Sequence, residues 1–142
     1  MRIADVLRNK GGSVVTINPE ATVAELLAGL AGHNIGAMVV LGPDGVRGIV
    51  SERDVVRQLH AHGASVLSRP VEEIMTAVLS TCSKSDTVDS ISMLMTENRV
   101  RHVPVLDDGK LIGIVSIGDV VKTRMQELES EHEQLQSYIT QG

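Results

Sequence analysis

The sequence predicts an α/β fold, α+β-like in detail: two pseudo-symmetric βαββα units packed through their sheets, followed by an extended C-terminal helix. Three observations predict it. "GIVSERDVVR" from Gly48 to Arg57 returns as "GIVSIGDVVK" from Gly113 to Lys122, an offset of 65 residues. At that offset, without a gap, Thr16 meets Thr81, Thr22-Val23 meets Thr87-Val88, and Val40-Leu41 meets Val105-Leu106. Each copy also carries the turn chemistry of a β-hairpin, "PDG" in one and "DDG" in the other, between apolar runs. A repeat of this size sets the architecture before any other feature.

The elements follow in order. A lead-in, "IADVL" at Ile3–Leu7, resembles "VEEIM" at Val71–Met75 at a slightly longer offset, so the linker varies in length. Short strands are expected at Val14–Ile17 and Leu79–Cys82. A helix is predicted from about Thr22 to His33, with Thr22 and Glu25 as a capping box. Its apolar residues Val23, Leu26, Leu27 and Leu30 share one face. Val88, Ile91, Leu94 and Met95 repeat that face in the second copy. Hairpins span Ala37–Val50 and His102–Val115, and a second helix starts at each quoted motif. One such unit has too small a sheet to bury its own apolar face, so the copies are expected to pack about a pseudo-two-fold axis. The units are placed at 1–66 and 67–124, with a C-terminal helical extension at 125–142.

Composition narrows the function. Of 142 residues 42% are hydrophobic, yet there is no Trp or Phe and Tyr138 is the only Tyr. The core is therefore aliphatic, and a planar ligand would be gripped by aliphatic side chains. A net charge of −5 argues against a nucleic-acid binder, which needs surplus Lys and Arg. Cys82 is the only cysteine, which excludes an intramolecular disulfide and a multi-cysteine metal site. No basic-then-apolar leader and no apolar run near 18 residues is present. The expectation is a cytoplasmic protein without membrane contact.

The repeated motif has two readings. Ser51-x-x-Asp54 and Ser116-x-x-Asp119 are the residues of a helix N-cap, satisfying orphan N–H groups at the first turn. The same helix start offers N–H groups and a positive dipole end to an anion. Cys82 with His102 has no third orienting group for catalysis, and His60-x-His62 lacks a further metal ligand. No G-x-G-x-x-G opening of a Rossmann unit occurs.

The chain resembles a tandem pair of CBS domains, the Bateman module, and in particular the small stand-alone CBS-pair proteins. The resemblance is carried by "GIVSERD" and "GIVSIGD" at the helix starts, by "NIGAMVVLGPDGVRGIV" across the first hairpin and by "VRHVPVLDDGKLIGIV" across the second. It runs from about Met1 to Arg124. It implies a non-catalytic sensor that binds an adenosine nucleotide (AMP, ADP, ATP or NAD) in clefts between paired units and signals to a separate, unknown regulated protein. By the same resemblance, Ser51 and Asp54 would hold ribose in one cleft, and Ser116 and Asp119 in the other. Thr16-Ile17 and Thr81-Cys82 would meet adenine; Arg101 and His102 would meet phosphate. S-adenosylmethionine would leave a phosphate-directed Arg unused. The alternative is a structural dimerisation module whose motifs only cap helices.

The copies differ. Glu52-Arg53 in the first motif becomes Ile117-Gly118 in the second, while Gly36-Ala37 becomes Arg101-His102. With the copies face to face, the Asp54 cleft is expected to gather both Arg53 and Arg101 and to bind anions more tightly. Val121, Met125, Leu128, His132, Leu135 and Ile139 form an a/d stripe of about two and a half heptads. That stripe either packs on its own domain or meets a second protomer. CBS pairs resembling this one commonly form disc-like homodimers, so the resemblance favours a homodimer with the tail near its interface.

Overall fold

The computed structural model describes residues 1–11, 14–78 and 80–141. Its elements, in order, are α1 (Ile3–Lys10), β1 (Thr16–Ile17), α2 (Val23–His33), β2 (Ala37–Gly42), β3 (Gly45–Ser51), α3 (Glu52–His62), β4 (Thr76–Ala77), α4 (Val88–Asn98), β5 (His102–Asp107), β6 (Lys110–Ser116) and α5 (Ile117–Gln141). Two short 3₁₀ turns, Gly63–Ser68 and Val71–Glu73, link α3 to β4.

Local chemistry explains most boundaries. Thr22 caps α2 by accepting from the Glu25 N–H at 3.2 Å, and Thr87 caps α4 by accepting from Ser90 at 3.1 Å. The reciprocal half of the expected Thr22–Glu25 box is not formed, so Thr22 is a simple N-cap. Asn34 and Arg99 end α2 and α4 in the left-handed conformation, at φ 53° and 54°. The β5–β6 hairpin turns through Asp108 and Gly109, both at positive φ, the backbone a tight two-residue turn requires.

The repeat is visible in the pairing. β1 runs parallel to β2, with Ile17 opposite Val40, and Cys82 bridges Val105 in the same way. The expected second-copy strand thus reduces to this one bridge; Leu79, where it was to begin, lies outside the described residues. Both hairpins shift register at the equivalent place, between Val40 and Leu41 and between Val105 and Leu106. The first sheet has the order β1-β2-β3-β4; the second contains β5-β6. β3 lies against β6, joining the two sheets.

The copies also exchange their lead-ins. Ile3 and Val6 of α1 are buried with Val88, Ile91, Val103 and Val115 of the second copy. Val71 and Ile74 are buried with Val23, Leu26, Val40 and Val50 of the first. The backbone repeats the exchange: Val23 N–H donates to the Arg69 carbonyl at 2.9 Å, and Val88 N–H to that of Met1 at 3.0 Å. The lead-ins differ in form, since Pro70 opens only a 3₁₀ turn before the chain joins β3 as β4, whereas α1 continues to Lys10. Each half thus contributes to both cores.

α5 is one unbroken helix of 25 residues. Val121, Met125, Leu128, Leu135 and Ile139 are each more than half exposed, so the apolar stripe is not packed on its own domain. No helix among the described residues is long and apolar enough to cross a membrane.

Candidate functional site

Each second helix begins where a hairpin strand ends, and the motif forms the junction. Ser51 is extended (φ −126°, ψ 168°) and accepts from the Asp54 N–H through Oγ, while Asp54 Oδ2 accepts from the Ser51 N–H at 2.9 Å. Ser116 and Asp119 do the same, at 3.1 and 2.9 Å. Both motifs are therefore capping boxes, which fixes the two carboxylates at helix N-termini.

Their surroundings then diverge. Asp54 faces a cleft of about 400 Å³. One wall is the start of α3: Ser51, Glu52, Arg53, Asp54 and Arg57. The opposite wall is Arg99, Val100, Arg101, His102 and Pro104, at the entry to β5. Thr76, Ala77, Val78 and Ser80 close it along one edge, with Ile49 on the sheet. The Thr76 hydroxyl donates to Asp54 Oδ1 only at 3.5 Å, leaving that oxygen weakly engaged. Arg53 and Arg101 are brought together here.

At Asp119 the carboxylate already has a cation. Lys10 Nζ donates to Asp119 Oδ2 at 2.7 Å and to the Ile114 carbonyl at 2.7 Å. Burial alone would raise the Asp119 pKa, but the hydrogen bonds from Lys10 and Ser116 outweigh it and hold the carboxyl below its ordinary value. Among the described residues, Asp54 has no ion-pair partner.

None of the four residues expected against adenine is among the lining of the Asp54 cleft. Thr81 and Cys82 do not line the Asp54 cleft; residues 76–78 and Ser80, just upstream, do. Cys82 is buried in the second core, where burial first and Asp86 second push its thiol up to about 12. Thr16 is exposed on β1, and Ile17 packs on the first core. His102 is half-buried on the cleft wall; burial, and then Lys10, lower its pKa.

Sequence reading missed Arg57, Arg99 and Lys10. Arg57 carried a usable signal, lying four residues from Arg53 on one helix. Arg99 stands where the first copy has Asn34, a substitution at a left-handed cap that the repeat exposes. Lys10 had none, because the exchange of lead-ins alone brings α1 to the second motif.

Among known proteins, the CBS domain family model matches residues 3–61 and 71–125. A mitochondrial CBS domain-containing protein of Arabidopsis thaliana is 38% identical over 149 aligned residues, covering 99% of this chain and 72% of that protein. The crystal structure of a CBS-domain containing protein from Agrobacterium tumefaciens is 44% identical with a TM-score of 0.81, covering 87% of this chain and 92% of that one. A CBS domain protein from Pyrobaculum aerophilum, solved in complex with AMP, is 28% identical with a TM-score of 0.74, covering 84% of this chain and 89% of that one.

Proposed function

The chain belongs to the CBS domain family, and from that premise we propose that it is a non-catalytic regulatory sensor for an adenosine nucleotide. AMP, ADP, ATP or NAD binds in the Asp54 cleft, and a separate protein responds. One observation carries the reading: a weakly engaged carboxylate at a helix N-terminus, with Arg53 beside it, shares a partly apolar cleft with Arg101. Asp54 Oδ1 accepts from the ribose diol, and a charged acceptor makes those bonds strong. Ser51 sits beside it. The purine lies against Ile49, Val78 and Pro104, and phosphate meets Arg53 and Arg101. The AMP complex of the Pyrobaculum relative supports the ligand class.

Binding acts as a signal only through a difference in affinity between two arrangements of the module. The exchanged lead-ins give such arrangements a physical basis, because β4 lines the cleft while Val71 and Ile74, just before it, sit in the first core. The protein acts as a cytoplasmic homodimer, with a second copy covering the exposed α5 stripe.

Thermal melting of the purified protein with AMP, ADP, ATP, NAD and S-adenosylmethionine, each at about millimolar concentration, tests this. A ligand at roughly a hundred times its Kd adds about 2.7 kcal/mol, a rise of several degrees. A rise with adenosine phosphates or NAD that disappears in Asp54→Asn is expected, since Asn still caps. No rise with any of them would sink the sensor. That result would select the second reading, a structural interaction module that uses the exposed α5 stripe and whose cleft holds no nucleotide.

A further inference from the structure

Nine arginines occur in the chain, and four of them, Arg53, Arg57, Arg99 and Arg101, line this single cleft. Among the described residues none of these four makes an ion pair, while Arg8, Arg47, Arg69 and Arg124 each do. Glu52 and Asp54 are the acids lining the cleft, so it carries two surplus positive charges in a protein of net charge −5. Like charges gathered without counterions repel one another, and a bound anion removes that cost.

The four fall into two pairs along the chain, one on each lining segment. Arg53 lies beside Asp54 at the start of α3, and Arg57 is one turn further on, about 6 Å along the helix. On the facing wall Arg101 borders β5, and Arg99 lies two residues upstream, at the end of α4. A single phosphate next to a ribose held by Asp54 would meet Arg53 and Arg101. A row of phosphates also reaches Arg57 and Arg99.

Arg99 adds an independent sign. It holds a left-handed conformation (φ 54°), which the first copy assigns to Asn34 (φ 53°). Asn adopts that backbone at lower cost than Arg. A costlier residue at a cleft wall points to a task for its side chain.

We propose that the cleft selects adenosine nucleotides with two or more phosphates in series, Arg57 and Arg99 holding those beyond the first. This rests on the reading of the cleft as an adenosine-nucleotide site. The shared chemistry is a 5′-linked diphosphate or longer chain, whether from ADP, ATP or a dinucleotide such as NAD.

The test measures Kd by titration calorimetry for AMP, ADP, ATP and NAD at fixed ionic strength with EDTA present. The proteins are the wild type, Arg57→Gln, Arg99→Asn and, as a control outside the cleft, Arg47→Gln. In the wild type ADP or NAD binds at least about tenfold more tightly than AMP, with ATP tighter than ADP. Whichever of ADP and NAD is tighter names the source of the diphosphate. In Arg57→Gln and Arg99→Asn the ATP-to-AMP affinity ratio collapses towards one, and Arg47→Gln keeps the wild-type ratio. Arg99→Asn also melts higher than the wild type, because the cap is relaxed. AMP binding as tightly as ATP and NAD, or a ratio unmoved in both cleft variants, overturns the inference and leaves the nucleotide site standing. No binding of any adenosine compound overturns both.

Discussion

Lys10 Nζ sits 2.7 Å from Asp119 Oδ2, and the same ammonium donates to the Ile114 carbonyl. Asp54, 65 residues earlier and capped by the same box, has no such cation; Thr76 approaches its other oxygen, Oδ1, at 3.5 Å. The difference follows from the exchanged lead-ins. The segment crossing the first motif is a 3₁₀ turn and β4, whose residues are short and uncharged where they pass Asp54. The segment crossing the second is α1, whose last turn delivers Lys10. The fold thus fills one of its two equivalent positions with a cation of its own.

Removing that cation should destabilise the protein in a pH-dependent way. The Asp119 pKa is lowered on folding, so its contribution is present above the unfolded value, near 4, and is lost as pH falls through the folded one. Lys10→Met should cost about 1 kcal/mol at pH 6, typical of a partly exposed pair. Urea midpoints of wild type and variant should converge as pH is lowered to 3. A gap of constant size across that range would show that Lys10 acts through packing instead.

The two aspartates should also differ in binding. We expect one nucleotide per chain, with Asp54→Asn weakening it by roughly ten- to a hundredfold, the worth of charge-assisted hydrogen bonds. Asp119→Asn should leave that affinity within about threefold. Titration calorimetry gives both numbers. Two equivalent sites in the wild type, or equal losses in both variants, would contradict the asymmetry.

Gly48 and Gly113 are equivalent by repeat, yet alanine should affect them unequally. A Cβ on Gly48 would meet the Thr76 carbonyl oxygen at 2.6 Å and Met75 Sδ at 2.8 Å. One on Gly113 would meet the Leu7 Cδ2 methyl at 2.6 Å, the end of a side chain that can rotate. Gly48→Ala must therefore push β4 from β3 and should cost about 1–3 kcal/mol, with Gly113→Ala costing less. Because Thr76 lines the cleft, Gly48→Ala should weaken nucleotide binding as well. Chemical denaturation orders the two, and a larger loss in Gly113→Ala would overturn the argument.

These contrasts mark what sequence can carry. The repeat, the Ser-x-x-Asp capping boxes and the hairpin turns are legible in the sequence, as is the sharing of one cleft by Arg53 and Arg101 once the copies are set face to face, whereas at Thr22 only the N-cap half of the expected box forms. The exchange of lead-ins was not, because Ile3 and Val71 look alike in pattern and either core accepts either segment. That exchange decides what borders each aspartate, so Lys10 and Thr76 were invisible. The family resemblance places Thr81 and Cys82 at the adenine edge; Cys82 packs into the second core, and Thr76, Ala77, Val78 and Ser80 are the residues of that stretch lining the Asp54 cleft.

His102 supplies a reporter of anion binding. Its pKa is lowered, first by burial and then by Lys10, with Arg101 acting in the same direction and Asp119 against them. The unfolded chain therefore takes the proton first, and this residue's contribution to stability falls as pH drops below about 6.5. A phosphate beside Arg101 would favour the imidazolium. The His102 resonance should titrate below its ordinary value in the free protein and move upward with ATP. An unchanged midpoint at saturating ATP would place the phosphates away from β5.

The exposed stripe of α5 makes the last prediction. Val121 and Met125 are both more than half exposed on one face of a helix whose other side buries Val120 and Thr123. Contiguous exposed apolar surface of this kind marks an interaction site. In a homodimer that uses it, Val121→Glu with Met125→Glu introduces four like charges at the junction. Sedimentation should then report a monomer where the wild type reports a dimer. Neither side chain supports its own core, so each isolated chain should keep its fold by circular dichroism. Nucleotide affinity should persist as well, since neither residue lines the Asp54 cleft. A wild type that sediments as a monomer at all concentrations would assign the stripe to a different partner protein.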